Sequence, residues 1–160
     1  MPLTTSWPLI ARSALDRVAD TLGANPAGVA LIGNEGVGKT TLAAHAAQRL
    51  GRGEPLWVLG TLAQSSIPFG AFGPLLDVDD VGKPAAMIAA AADSLLAKAH
   101  SAPIIVDNAR LLDPLSASLV YRLAKDGTCP LIVTVRSVAA VLSEAAIVNS
   151  EVVPTQVFPT

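Results

Sequence analysis

The sequence predicts an α/β fold, a mainly parallel sheet held between two layers of helices, and three observations carry that expectation. Short, largely apolar runs at 29–32, 56–59, 103–107 and 129–135 end in, or just before, a glycine or a charged residue, the pattern of strands covered on both faces. Stretches with apolar residues at helical spacing, 13–22, 40–50, 84–100 and 114–125, lie around and between them. A glycine-rich segment occupies the first strand-to-helix junction. Regular alternation of the two periods requires crossover connections, which are right-handed and make the strands parallel.

Residues 1–28 read as a leading segment and a short helix, with Leu15, Val18, Ala19 and Leu22 on one face and Ser13 as its cap. The run Gly23-Ala24-Asn25-Pro26 ends it. Residues 29–137 form the core of the fold. Its first strand, 29–32, stops at Gly33, and the helix after it closes at Gly51. Strand 56–59 leads into a Gly- and Pro-punctuated connection, 60–74, expected to be irregular but partly packed through Phe69 and Phe72. Helix 84–100 opens on Pro84, which a first turn tolerates, and gathers Met87, Ile88, Ala91, Leu95 and Leu96 on one side. Strand 103–107 ends in Asp107, helix 114–125 is capped by Asp113, and strand 129–135 closes the core. The C-terminal tail, 138–160, holds at most one further strand, within 150–158 and interrupted by Pro154. No internal repeat and no low-complexity tract breaks the pattern.

Composition narrows the function classes. A chain of 160 residues fits one domain. It is 51% hydrophobic and 15% charged, too apolar for disorder. The formal charge of −2 leaves no broad basic field, so direct nucleic-acid binding is not expected. Cys129 is the single cysteine, which excludes an internal disulfide and reads as a small core residue. The N-terminus MPLTTSWPLI lacks a secretion signal's basic flank, and apolar stretches are interrupted well short of a bilayer span. The expectation is a cytoplasmic protein without a membrane segment.

The chemistry concentrates in Gly33-Asn34-Glu35-Gly36-Val37-Gly38-Lys39-Thr40-Thr41, which satisfies the G-x-x-x-x-G-K-[ST] pattern between a predicted strand and a predicted helix. That pattern predicts the P-loop of a nucleotide-binding NTPase. Its glycines let successive backbone N–H groups turn inward at phosphates, aided by the positive end of the following helix. Lys39 is expected to reach the β- and γ-phosphates, and Thr40 to place its hydroxyl on Mg²⁺. Asp107, at the carboxyl end of an apolar strand, is expected to reach the same ion through water. Arg136 follows the fourth strand; if that strand lies beside the first, it sits near the γ-phosphate as a sensor of its charge. Asp107 and Arg136 are thus the candidate catalytic groups. Glu35 is either solvated or poised to prepare an attacking water. His45 and His100 lie on predicted helices with no partner at metal-ligand spacing. Asn108 occupies the position where many ATPases carry a second, water-activating acid, so fast hydrolysis is not expected.

Four further segments resemble the signalling NTPases with numerous domains, an AAA-like class, and within it the ATP-binding domain of large LuxR-family transcriptional regulators. Trp7-Pro8-Leu9-Ile10-Ala11-Arg12 is similar to the family's first motif, with Ala11 in place of its glycine; the resemblance implies that Arg12 lies near the adenine. Ser66-Ile67-Pro68-Phe69-Gly70-Ala71-Phe72 is similar to the stretch after the family's second strand. Ile105 to Asp113 resembles its Walker B segment, with Asn108 and Arg110 departing from the usual Asp-Asp-Ala-His. Thr134-Val135-Arg136-Ser137 is similar to its sensor-arginine segment.

The resemblance spans residues 7–137. It implies a three-layer P-loop NTPase without the family's later helical subdomains and DNA-binding region. The implied ligand is ATP or ADP with Mg²⁺, and the implied partners are other domains or further copies of the chain. The expected function is a regulatory nucleotide switch. A small independent ATPase or phosphotransferase is the alternative, and a degenerate interaction domain that no longer binds nucleotide is the second.

Overall fold

In the computed structural model, residues 9–24, 28–33, 38–77, 82–136 and 152–153 are described, with side chains from residue 14 to residue 136 of those ranges. Helix α1 (Leu9–Ala24) precedes strand β1 (Val29–Gly33), and α2 (Lys39–Leu50) leads to β2 (Leu56–Leu59). After two short 3-10 turns come α3 (Pro84–Ala99), β3 (Ile104–Asp107), α4 (Pro114–Asp126) and β4 (Leu131–Arg136). Val152–Val153 forms a two-residue β5.

The strands lie in the order β2-β3-β4-β1-β5, and every pairing is parallel. Alternate residues of each strand face opposite sides, because side chains in a strand repeat with period two. Ala30, Ile32, Ile104, Val106, Leu131 and Val133 join a core that includes Leu95 of α3 and Leu119 and Leu123 of α4. Val29, Leu31, Ile105 and Ile132 join a second core with Val18 and Leu22 of α1 and Leu42, Ala43 and Ala46 of α2. The expected mixed α/β arrangement, a parallel sheet with helices on both faces, is therefore observed. Apolar residues on both faces explain why β1 is buried at all five positions. Among the described residues no helix is long and apolar enough to cross a membrane.

Several boundaries differ from the sequence reading, for physical reasons. Ser13 does not cap α1; the helix already begins at Leu9, so Ser13 lies within it. Strand β3 starts at Ile104 and β4 at Leu131, each one residue after a proline that has no N–H to give to the ladder. The carbonyl of Pro130 still accepts from Ile104 N at 2.8 Å. His100 stands just past α3 as its C-cap, in a left-handed conformation with φ of 47°. Residues 60–74, expected to be irregular, contain 3-10 turns at Leu62–Gln64 and Gly70–Leu75. Phe72 is fully buried and Phe69 nearly so, which is the packing expected of that connection. Pro68, Gly70, Gly73 and Pro74 leave no run long enough for a regular α-helix.

Asp113 is the expected cap of α4, and it does more. Its carboxylate accepts from Leu115 N at 3.1 Å and Ser116 N at 3.2 Å, and also from the Ser116 hydroxyl. A third backbone donor, Phe69 N at 3.1 Å, arrives from the connection after β2. One buried carboxylate thus starts a helix and pins a loop 44 residues away. The tail beyond Val153 lies outside the described residues.

Candidate functional site

In a parallel sheet all strands deliver their carboxyl ends to one edge, and the loops leaving that edge converge. Here β1 delivers Gly33, β3 delivers Asp107 and β4, between them, delivers Arg136. Gly33 and Arg136 are register partners. A cleft of about 480 Å³ opens at this edge, lined by Gly38, Lys39 and Thr40 on one side and Asp107, Asn108, Arg110, Leu111 and Arg136 on the other.

Gly38 occupies the N-cap position of α2 with φ of 92° and no side-chain cap. That left-handed backbone favours glycine strongly. It opens the helix with a residue that has no side chain to cap it. Lys39 is the first helical residue. Its Nζ donates to the carbonyl oxygen of Gly33 at 2.8 Å, which ties the ammonium to the end of β1. The next residue, Thr40, aims its hydroxyl at Asp107, with Oγ1 3.1 Å from Oδ1 and 3.0 Å from Oδ2.

Asp107 is gripped from a second side. The hydroxyl of Thr134, in β4, donates to Asp107 Oδ1 and accepts from the backbone N–H of Asn108 at 3.1 Å. Asn108 itself turns the chain with φ of 54° and ψ of 49°. Asparagine is among the few residues that adopt this left-handed conformation at modest cost. Gly60, after β2, approaches this turn closely: a Cβ there would stand 2.3 Å from the Asn108 carbonyl oxygen. Its N–H donates to the Asp107 carbonyl at 2.8 Å. The turn that aims Asp107 is thus braced by both neighbouring strands.

The structure brings together Gly38, Lys39, Thr40, Asp107 and Arg136 from the predicted set, and Gly33 through its carbonyl. Thr41 is exposed in the first turn of α2 and is not among the described residues lining the cleft. Asn34, Glu35, Gly36 and Val37 lie outside the described residues, as does the side chain of Arg12, whose backbone lies in α1. His45 is half-buried on α2 and His100 is exposed. Sequence reasoning left Thr134 without a role of its own. The available signal was a hydroxyl in an otherwise apolar strand, 27 residues from an acid ending the neighbouring one. It also left Arg110 and Leu111 unassigned, because a 3-10 turn at Ala109–Leu111 brings them back to the cleft.

Chemically the cleft has two characters. Lys39, Arg136 and Arg110 supply positive charge suited to an anion, while Thr40 and Asp107 supply hard oxygen donors suited to a small divalent cation. Among the described residues no group of three or more His, Cys, Asp or Glu side chains gathers. A cation held here by described side chains would therefore depend on water and on the anion for most of its ligands. No protein-family model matches the chain, and no curated protein matches it.

Proposed function

We propose that the chain is a P-loop NTPase domain that binds ATP, or ADP, with Mg²⁺ and serves as a nucleotide-dependent regulatory switch. One observation carries the reading: β4 lies between β1 and β3, so Lys39, the strand-end acid and the strand-end arginine line one cleft. Lys39 and the first turn of α2 would hold the phosphates. Thr40 and Asp107 would hold the ion, and their mutual distance of 3.0 to 3.1 Å fits a group of oxygen donors already turned toward one point. The ion would supply charge neutralisation between the phosphates. Arg136, register partner of Gly33, would read the terminal phosphate. A volume of about 480 Å³ lies in the range of ordinary small-molecule sites.

The preference for a switch over an efficient ATPase rests on Asn108. An amide cannot take a proton from water, and this one sits in a turn where its backbone N–H donates to the Thr134 hydroxyl that holds Asp107. Turnover below roughly 1 per second, the low end of ordinary enzymes, is expected. Adenine preference, membership of the signalling NTPases and a place in a LuxR-type regulator rest on the resemblance at residues 7–12, 66–72, 105–113 and 134–137.

The test is titration with a fluorescent ATP analogue in Mg²⁺. Binding is expected for the parent chain and loss of it for Lys39→Ala; equal affinities would remove the reading. Competition by unlabelled ATP against GTP checks the base preference. A switch also requires that the ligand contact one conformation better than another. Hydrogen exchange around residues 105–113 and 131–136 is therefore expected to change between ATP and ADP.

A further inference from the structure

Thr134 is 1% exposed in the middle of a strand whose neighbours Leu131, Ile132, Val133 and Val135 are all apolar. Valine has the same shape and suits a β-strand at least as well, so the hydroxyl adds nothing to packing. Burying it is costly unless it is hydrogen-bonded. Both of its functions are used: it donates to Asp107 Oδ1 and accepts from Asn108 N. Resting on the nucleotide-site reading, we infer that Thr134 is a positioning residue for the cation, holding the Asp107 carboxylate in the rotation that presents its oxygens to Thr40.

The geometry supports this in two steps. An aspartate at a strand end turns about two side-chain torsions, and its terminal torsion is broad and poorly restrained by its own backbone. One bond from Thr134 to Oδ1 removes that freedom while leaving Oδ2 and the second lone pair of Oδ1 available. Both oxygens face the Thr40 hydroxyl. The N–H of Asn108 then fixes the direction of the threonine hydroxyl, because with its acceptor side occupied the proton is left to point at Asp107. Partners that orient a metal-holding group without touching the metal typically change metal affinity 10- to 100-fold when lost.

The readout is the ratio of dissociation constants for a fluorescent ATP analogue without and with Mg²⁺, in the full chain. The parent is expected to bind more tightly with Mg²⁺. Thr134→Val should leave the metal-free constant unchanged and reduce the ratio about tenfold or more. Asp107→Asn should also reduce the ratio, and Thr134→Ser, which restores the hydroxyl, should keep the parent ratio. A parent-like ratio in Thr134→Val overturns the inference, as does a Thr134→Ser ratio that falls as far as that of valine. A parent chain that binds with no response to Mg²⁺ overturns it too. Failure of the underlying reading looks different: the parent does not bind, or Lys39→Ala binds as well, and the inference falls with it. If far-UV dichroism shows Thr134→Val unfolded, Thr134→Ala takes its place against Thr134→Ser, with the same outcomes deciding.

Discussion

Thr40 and Asp107 are 67 positions apart in the chain and about 3 Å apart in space. Single residues at such junctions carry disproportionate weight. Gly60 touches the Asn108 carbonyl so closely that any side chain must push the turn after Asp107. Gly60→Ala is expected to cost about 1–3 kcal/mol, the usual range for overpacking, as a lower urea midpoint. Cys129 supplies a different kind of test. Burial raises its thiol pKa above the ordinary 9.0, only partly offset by a backbone hydrogen bond from Ser101 and the charge of Arg52. Below that ordinary value both folded and unfolded chains keep the proton and pH has no effect through this group. Above it the unfolded chain ionises first, so stability falls as pH rises toward the folded value. The melting temperature of the parent should therefore drop more between about pH 8 and about pH 10 than that of Cys129→Ala. Parallel curves would exclude the effect.

Among the elements, α4 shows how capping and loop docking share one group. Asp113→Ala removes the cap of α4 and leaves the N–H of Phe69 without its buried acceptor. A lost cap costs about 1 kcal/mol. An orphaned buried donor adds about 1–3 kcal/mol. A total near 3 kcal/mol is expected in chemical denaturation, with Asp113→Asn recovering part of it because its side-chain oxygen still accepts. The 3-10 turn at Gly70–Leu75 should then lose protection from hydrogen exchange before α4 does, because it depends on that carboxylate from outside its own segment.

For the molecule as a whole, strand order sets a gradient of stability. β1 and β4 lie inside the sheet and are buried on both faces, whereas β2 lies at its margin with Trp57 and Leu59 about half exposed. Amide exchange should be slowest in 29–33 and 131–135 and faster in 56–59. Leu31→Ala, at a fully buried position of β1, is expected to cost about 2–5 kcal/mol, against almost nothing for Leu62→Ala, whose side chain is 77% exposed. Comparable losses at the two positions would contradict the layered core.

The local patterns were readable because they follow from local physics. An apolar run such as Val29–Ile32 has to be covered on both faces, Gly51 stops a helix, and Asp113 offers its carboxylate to the N–H groups just after it. The segment Gly33 to Thr41 likewise points to Gly38, Lys39 and Thr40, which line the cleft, without reference to the rest of the chain. What no local pattern contains is which strand lies beside which. That depends on how all the apolar faces compete for cover. Only the folded sheet places β4 between β1 and β3, and that placement seats Thr134 against Asp107 and sets Arg136 opposite Gly33. The glycine-rich segment identifies half of the cleft; the sheet supplies the other half.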